Sequence, residues 1–494
     1  MKNFTKIKIV SFVVIASFAG LTACSDDFLD KTDTYEINSE TYFNSKDDYQ
    51  KALIGAYDLL QSTYLNVLLG EIASDNTLCG GESASDVPGF QQVDDMIHTP
   101  VNAQLKNIWD WMFAGVNRAA YILEFKDKID FDGKDGLIAE ARFLYAYYNF
   151  ELVKWFGGIP LKKDTRFVQG DELKIPRASV EEVYAAIEEN LIFAVEKLPE
   201  TPADGQVGRA TKGAAQALLG KAYLYQNKFK EAAEVLEELI GSGKYKLVQN
   251  YATIFESEGE NGEESVFEVQ YTDSEGAGFE CLQCSEGNVA VGFNGIRNYN
   301  GPVFDSGYSF NVPTQEAVDA FETDDLRKDV AILDIVAWAA ANNATYSEGY
   351  EHTGYYNRKY IARKGDLNTP DQNLTNPNNY RAIRYVDVLL MAAEALNRGS
   401  ISDERALKYL NQVRERAFGN ANHAINASGT SLTEAIWAER RVELIGEGIR
   451  FFDLVRTGQG TKISGFTTGK HEVFPIPYEE IKYANGNWQQ NSGY

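Results

Sequence analysis

The sequence predicts a mostly α-helical fold in which helix pairs form a scaffold for an irregular, loop-rich subdomain. Apolar residues recur at helical spacing in the first and last parts of the chain. Between them, residues 241–380 lose that period, with Gly, Asn and aromatic residues prominent. Hydrophobic residues make up 44% of the 494 residues, enough for a large core. The net charge of −25 argues against a nucleic-acid partner, because phosphates require a basic face.

The N-terminus has the layout of an exported, lipid-anchored protein. Three lysines precede the almost wholly apolar stretch 9–21, which is too short to span a bilayer as a helix of about 20 residues. The sequence Leu21-Thr22-Ala23-Cys24 then resembles a bacterial lipobox, in which the cysteine receives lipid. We expect a lipoprotein signal peptide over residues 1–23 and lipidation of Cys24. The alternative is an ordinary signal peptide followed by a chance cysteine.

The residues that follow Cys24 indicate a destination. Ser25-Asp26-Asp27 resembles the acidic tag that sends some Gram-negative lipoproteins to the outer face of the outer membrane. Several acyl chains would keep the protein there, because each buried CH₂ contributes about 0.8 kcal/mol. The expected localisation is therefore the outer membrane, lipid-anchored and facing the cell exterior.

The first half of the chain shows strong helical periodicity. In the first predicted helix, Tyr49, Leu53 and Ala56 share one apolar stripe with Leu60. Ser179 with Glu182 three positions later forms the capping box that begins another helix. The spacing predicts helices over 45–61, 105–125, 134–156 and 179–197, and a long loop over 70–104.

Two segments have the spacing of tetratricopeptide helix pairs. In residues 211–240, Gly220 takes the small-residue position of the first helix and Leu236 lies where the second helix packs back. Residues 383–416 match more weakly, with Ala406 and Leu410 in the corresponding positions. Such pairs cannot bury their apolar faces alone and must stack.

These patterns divide the chain into four regions. The expected regions are the signal peptide 1–23, an N-terminal helical region 24–240, an irregular region 241–380 and a C-terminal helical region 381–494. Within the irregular region, residues 266–271 alternate like a strand, whereas 272–312 carry seven glycines among aromatic and amide side chains. Loops of this length are usually functional or disordered, and the interleaved aromatics favour function.

Motifs for catalysis or metal binding fail on inspection. The four histidines are scattered without ligand spacing, and P-loop and GxSxG motifs are absent from the sequence. Glu439, Glu443 and Glu447 share a predicted helix face and could suggest a carboxylate glycosidase. Arg440 and Arg450 lie nearby in sequence, so ion pairing on the helix surface or between helices is the simpler interpretation. We expect no catalytic residue and no metal site.

The cysteines allow a disulfide, because the mature protein lies outside the cytoplasm. Cys281 and Cys284 form a CxxC motif, and Cys79 lies alone in the earlier loop. One hypothesis is that Cys79 pairs with Cys281 or Cys284 and ties the two loops together. Unpaired or locally paired thiols are the alternative.

Ordered motifs along the mature chain resemble the SusD-like (RagB/SusD) family of outer-membrane lipoproteins. The resemblance rests on Phe28-Leu29-Asp30, Tyr42-Phe43, Glu140-Ala141-Arg142-Phe143-Leu144-Tyr145-Ala146, Phe156-Gly157-Gly158-Ile159-Pro160-Leu161, Pro176-Arg177, Gly208-Arg209-Ala210-Thr211-Lys212, Ile383-Arg384-Tyr385, Ala393-Glu394-Ala395, Glu447-Gly448-Ile449-Arg450 and Phe474-Pro475-Ile476-Pro477. The chain closes with Gln490-Asn491-Ser492-Gly493-Tyr494, where the family usually has proline in place of Ser492.

The resemblance implies a function. Family members are surface receptors for nutrients, usually glycans, and each forms a lid on a SusC-like TonB-dependent transporter. The family fold combines tetratricopeptide-like pairs with an irregular ligand-binding subdomain. The resemblance implies neither catalysis nor a cofactor. Some relatives take peptides, so a peptide receptor is the alternative.

Sugar recognition needs aromatic faces and hydrogen-bonding side chains on one surface. Two loops, 75–102 and 290–310, combine these residue types. The candidate ligand contacts are Asp75, Asn76, Phe90, Gln92 and Asn102 in the first loop, and Asn294, Arg297, Tyr299 and Tyr308 in the second. Loop packing is the alternative role for each of them.

Overall fold

A computed structural model describes residues 42–203, 205–364 and 374–494. The expected signal peptide and Cys24 lie outside the described residues. The helices are α1 Lys46–Asp58, α2 Tyr64–Ile72, α3 Pro88–Asp94, α4 Ala103–Glu124, α5 Lys134–Phe156, α6 Val180–Lys197, α7 Lys212–Tyr225, α8 Phe229–Gly241, α9 Ala290–Asn294, α10 Gln315–Asp319, α11 Lys328–Ala331, α12 Ile335–Asn342, α13 Tyr385–Arg398, α14 Asp403–Phe418, α15 Gly429–Glu443, α16 Arg450–Arg456 and α17 Tyr478–Tyr483. The mostly α-helical prediction is confirmed.

The N-terminal helices begin and pack as their sequence predicts. Ser45 caps α1 with a capping box, and Tyr49, Leu53 and Ala56 are buried along its predicted stripe. Ser179 and Glu182 form the predicted capping box of α6. Helix α5 is buried on most sides, and it is followed by Gly157, which adopts a positive φ of 70°. Each local signal therefore agrees with the tertiary packing around it.

The two predicted helix pairs are present and lie side by side. Helices α7 and α8 form the first pair, and a Cβ on Gly220 would lie 2.5 Å from the side chain of Leu236. Close approach of the two helices therefore requires the glycine. Helices α13 and α14 form the second pair, with Ala406, Leu410 and Val413 buried. Helix α13 also packs against α8, so the pairs stack into one scaffold.

Short strands organise the irregular part of the chain. They are β1 Thr77–Cys79, β2 Ser265–Val269, β3 Ile296–Arg297, β4 Ser306–Gly307, β5 Asn311–Pro313, β6 Ile332–Asp334, β7 Tyr355–Asn357 and β8 Tyr380–Arg384. The pairs β1–β5, β2–β8 and β6–β7 are antiparallel, and β3–β4 is parallel. The predicted strand at 266–271 corresponds to β2, and it joins the middle of the chain to the C-terminal helices through β8.

The long loop expected over 70–104 is partly wrong. This segment contains the end of α2, all of β1 and the seven-residue helix α3. Helix α3 begins at Pro88 and buries Phe90 and Val93. Two turns are too few for a clear helical period, so the sequence pattern does not reveal this helix.

Two kinds of buried cluster hold the fold together. One large apolar cluster joins the helices, and smaller ones lie beneath the irregular region. A set of buried ion pairs, here called the charged core, joins the irregular region to the C-terminal elements. The charged core comprises Arg327, Lys359, Arg384 and Arg416 with Glu264, Glu439, Glu443 and Glu447.

The three glutamates that could suggest a glycosidase belong to this charged core. Glu443 accepts from Arg327 at 2.8 Å, from Arg416 at 2.8 Å and from Arg384 at 3.0 Å. The interhelical part of the predicted ion pairing is confirmed. Pairing of these glutamates with the nearby Arg440 and Arg450 is wrong, since Arg440 contacts Asp387 and Asp453, and Arg450 contacts Asp75. Within the described residues, no helix has the length and apolarity needed to span a membrane.

Candidate ligand-binding surface

One surface patch, formed by the irregular region and the loop that follows β1, combines aromatic, amide and charged side chains. We call it the loop face, and it consists of Glu82, Asp86, Phe279, Arg297, Asn298 and Tyr308. Pairing of β1 with β5 brings its two parent loops together, with Cys79 opposite Asn311. Beyond the strands, the Gly81 N–H donates to the Ser309 carbonyl at 2.8 Å. Residues more than 200 positions apart therefore form one surface.

The aromatic part of the loop face stands on a buried aromatic stack. Phe279 is 62% exposed, and its ring centre lies 5.6 Å from that of Tyr308 at an interplanar angle of 65°. The half-buried Tyr308 ring lies 5.8 Å from buried Phe293. Phe293 in turn contacts Phe90 and Phe310, each edge to face. This support holds the outer rings in place, as a preorganised binding surface requires.

Arg297 fixes the polar part of the loop face. Its guanidinium donates to the Tyr308 carbonyl at 2.9 Å and to the Ser309 hydroxyl at 3.2 Å. The same group lies 3.5 Å from a carboxylate oxygen of Asp86 and 4.0 Å from one of Glu82. The side chain is 15% exposed. Arg297 therefore joins the aromatic loop to the acidic loop and leaves a small donor edge at the surface.

Amide and hydroxyl groups extend the patch. Exposed Asn298 donates to the Ser347 hydroxyl at 3.1 Å, and the Ser347 N–H donates to the Arg297 carbonyl at 2.9 Å. The Tyr350 N–H donates to the Gly81 carbonyl at 2.9 Å. A third segment, 347–350, thus closes one side of the loop face. Its groups are of the kind that bind hydroxyl-rich ligands.

The candidates of the first loop lie mostly beneath this surface. Asp75 accepts from Arg450 at 2.7 and 2.8 Å. Burial opposes its ionisation, but Arg450 and Arg441 hold the pKa of Asp75 below its usual value. Asn76 is fully buried and accepts from Arg441. The structure gives both residues internal partners.

The remaining first-loop candidates also support the loop from within. Asn102 caps α4 by accepting from the N–H groups of Gln104 and Leu105, and it donates to the Gln92 side chain at 2.9 Å. Phe90 is 2% exposed and belongs to the aromatic stack. The placement of Asn102 and Phe90 is the one expected for residues that pack the loop.

The candidates of the second loop divide into two groups. Arg297 and Tyr308 lie on the loop face. Asn294 is buried and donates to the Tyr360 carbonyl at 2.9 Å. Tyr299 is 6% exposed and donates to the Pro302 carbonyl at 2.8 Å. For Arg297 and Tyr308, ligand contact stays a prediction that the placement favours.

Phe279 and Asn298 were not among the candidates chosen from the sequence. Phe279 follows Gly278 and begins the 3-10 helix Phe279–Cys284. The sequence does contain one signal for Phe279, which is a large aromatic residue within a Gly-rich polar stretch. Such a ring has few apolar neighbours in the sequence against which to pack, so it is a candidate for exposure. The distinction between exposed and buried aromatics came only from the tertiary structure.

The expected bond between Cys79 and the CxxC motif is wrong. Cys281 and Cys284 are bonded to each other across a Cα separation of 5.3 Å, and Cys79 is a buried free thiol on β1. The Cys79 N–H donates to the Asp94 carboxylate at 2.7 Å. Burial raises the pKa of the Cys79 thiol, and it raises the pKa of Asp94 to about 7. The local disulfide lies beside Phe279 and closes that short turn.

Fold and surface together define a scaffold of stacked helix pairs that presents a loop-borne binding surface. Residues 333–473 match the SusD family, and residues 27–224 match a family described as "Starch-binding associating with outer membrane". The chain belongs to the SusD family. The second description associates this family with the outer membrane.

Individual relatives agree over nearly the whole chain. A solved "Laminarin binding SusD-like protein" is 33% identical, with a TM-score of 0.83 over 92% of this chain and 100% of the relative. Surface glycan-binding protein A of Bacteroides thetaiotaomicron, solved with laminarihexaose, is 26% identical, with a TM-score of 0.80 over 90% of this chain and 99% of that one. A SusD-like protein of Formosa agariphila is 27% identical over 99% of this chain and all of its own length. The family is one of binding proteins rather than enzymes.

Proposed function

We propose that this chain is a surface glycan-binding lipoprotein that captures oligo- or polysaccharide and passes it to a SusC-like TonB-dependent transporter. The loop face carries the proposal, because exposed Phe279 packs against half-buried Tyr308, whose backbone carbonyl accepts from Arg297, and exposed Asn298 follows Arg297 in the chain. Sugar rings have an apolar C–H face and a polar rim, and this surface offers a partner to each. Neither a nucleophile nor a metal is needed for capture.

The relatives suggest which glycan to test first. Two related proteins of known structure are described with laminarin or laminarihexaose as ligand. We infer that this chain takes a neutral β-glucan of the laminarin type. Charge supports a neutral ligand, since a chain of net charge −25 lowers the rate at which polyanions approach.

The binding test compares exposed aromatics on and off the loop face. Calorimetric titration with laminarihexaose would use the full chain in a non-ionic detergent that lacks a sugar headgroup. We expect Phe279→Ala and Tyr308→Ala each to weaken binding by about tenfold, as loss of a ring worth roughly 1–1.5 kcal/mol requires. Tyr483→Ala is the control, because Tyr483 is 58% exposed and lies off the loop face.

Three results would contradict the proposed glycan capture. They are no binding to any glycan of an array, binding to peptides alone, or shortening of the oligosaccharide during incubation. Equal affinity of the two loop-face variants and the unaltered chain would instead remove the loop face as the site while leaving the ligand in place.

The anchor and the transporter partner need separate tests. We expect Cys24→Ala to move the chain from the membrane fraction to the soluble fraction, because it removes the proposed lipidation site. Cross-linking of the tagged chain in native outer membranes is expected to join it to a TonB-dependent transporter. A membrane-bound Cys24→Ala variant would contradict the anchor, and a chain cross-linked to no transporter would contradict the delivery step.

A further inference from the structure

A concave site lies between the N-terminal helical part and the C-terminal end of the described chain, and it shares no residue with the loop face. It is a cavity of about 360 Å³ between α4, the segment 160–172, α17 and Trp488. Cavities of about 300 Å³ and above are the size that small ligands occupy. We call it the acidic pocket, since four of its lining side chains are carboxylates.

Aromatic rings form the walls of the acidic pocket. The ring centre of Trp109 lies 4.7 Å from that of Phe113, and Phe113 lies 5.7 Å from Phe167. Trp488 closes another side, and its indole N–H donates to the Ile175 carbonyl at 2.8 Å. These contacts fix the rings against one another, so the cavity walls are preorganised.

The carboxylates of the pocket are only partly compensated. Asp110 pairs with Lys106, and Asp171 pairs with Lys162 at 2.8 Å. The Glu172 carboxylate accepts from the backbone N–H of Gly170 at 2.8 Å. Within residues 42–203, 205–364 and 374–494, neither Glu172 nor Glu480 has a Lys, Arg or His nitrogen within 4.0 Å of its carboxylate. The pocket thus holds more negative than positive charge.

Glu480 shows the effect of this imbalance. Burial raises its pKa, and the nearby carboxylate of Asp110 raises it further, against a smaller opposing effect of Lys106. Its carboxylate has no hydrogen-bond donor among the described residues. A ligand that carries positive charge would stabilise the ionised form.

We propose that the acidic pocket binds an organic cation, with its ammonium or guanidinium group at Glu172 and Glu480 and its apolar frame against the aromatic walls. Cations are attracted both to carboxylates and to the faces of aromatic rings. One edge of the pocket already shows this arrangement. The Lys162 ammonium pairs with Asp171 and lies 5.9 Å from the centre of the Phe167 ring.

Two sources could supply such a cation, namely an amino sugar and a basic peptide. The test titrates the full chain with glucosamine oligosaccharides and with trilysine, each beside its fully N-acetylated counterpart. The counterparts keep the frame and remove the charge. We expect at least one cationic probe to bind about tenfold or more tightly than its acetylated form, and added salt to weaken that binding.

Matched variants identify the residues. The Glu172→Gln, Glu480→Gln double variant is expected to lose the cationic probe by about tenfold or more. Glu479→Gln is the control, because Glu479 is adjacent and exposed and does not line the pocket. In the unaltered chain, the indole N–H resonances of Trp109 and Trp488 should shift when the probe binds, which locates the site without any substitution.

Each outcome decides the proposal. Binding of the amino sugar, of the peptide or of both supports the cation site and names its source. The proposal is overturned if neither cationic probe binds, or if the acetylated probes bind with equal affinity. It is also overturned if the double variant binds the cationic probe as tightly as the unaltered chain does, or if the indole N–H resonances do not shift when the probe is bound. The proposal does not rest on glycan capture, because neutral laminarihexaose and the loop-face variants test that function separately.

Discussion

The charged core and the loop face use similar side chains for opposite purposes. In the charged core, Glu443 has no exposed surface and accepts from three arginines. On the loop face, Arg297 pairs at longer distance with Asp86 and keeps part of its surface accessible. Buried charges must find all their partners inside the protein. Exposed polar groups exchange water for a ligand at little cost, so incomplete pairing at a surface marks the better candidate for binding.

The charged core gives the largest expected effect. Glu443→Gln should lower the free energy of unfolding by about 3–5 kcal/mol, because it leaves three buried guanidinium groups without their shared carboxylate. Denaturant titration measures the change. Glu434→Gln on the exposed face of the same helix is the control, with an expected change within about 0.5 kcal/mol. Equal stability of both variants would remove the distinction between core and surface charges.

The aromatic stack allows the same comparison between two phenylalanines. Phe293→Ala is expected to cost about 3 kcal/mol or more of stability, because Phe293 is 4% exposed and contacts three other rings. Phe279→Ala should change stability by less than about 0.5 kcal/mol, since its ring is mostly solvated. Thermal and denaturant unfolding of both variants test this. A large loss of stability for Phe279→Ala would make it a packing residue.

The next expected effect comes from His98, a buried histidine whose Nε2 lies 2.7 Å from the Tyr494 hydroxyl oxygen. Burial lowers the pKa of His98 from 6.5 to about 3, and the nearby His471 makes a smaller contribution in the same direction. As the pH is lowered, His98 therefore takes up a proton in the unfolded chain at a higher pH than in the folded chain. The free energy of unfolding falls as the pH is lowered from about 6.5 towards 3. The loss attributable to His98 at pH 5 is about 2 kcal/mol.

Unfolding measured between pH 7 and pH 4.5 tests this, with His98→Gln as the comparison. The variant should show a smaller loss of stability over that range. An NMR titration that finds His98 protonated in the folded chain at pH 5 would contradict the expected effect of burial.

Loss of the local disulfide is expected to lower stability less than either Glu443→Gln or Phe293→Ala does. Replacing Cys281 and Cys284 with serine should cost at most about 2 kcal/mol, because the bond closes a very short loop. In the native chain without reductant, thiol labelling of residues 42–494 should modify nothing, and after unfolding it should modify Cys79 alone. Peptide mapping checks the pairing. A Cys79 bridge would restore the tie between the two loops that the sequence suggested.

Features that depend on neighbours a few positions away were predicted well. The stripe in α1, the capping box at Ser179 and the glycine of the α7–α8 pair all appear in the structure. Helical hydrogen bonds span four residues, so sequence over that distance carries the information. Helix α3 was missed because only two turns of it exist.

The sequence by itself determined the helical scaffold, the SusD-like motifs and two of the segments that form the loop face. Only the tertiary structure decided the partners of individual side chains. Asp75 meets Arg450 from 375 positions away, and Cys281 bonds to Cys284 rather than to Cys79. The same packing buries Tyr299 and exposes Phe279, although both lie in aromatic, Gly-rich sequence. Such choices depend on which surfaces of distant segments pack together, and no local period encodes them.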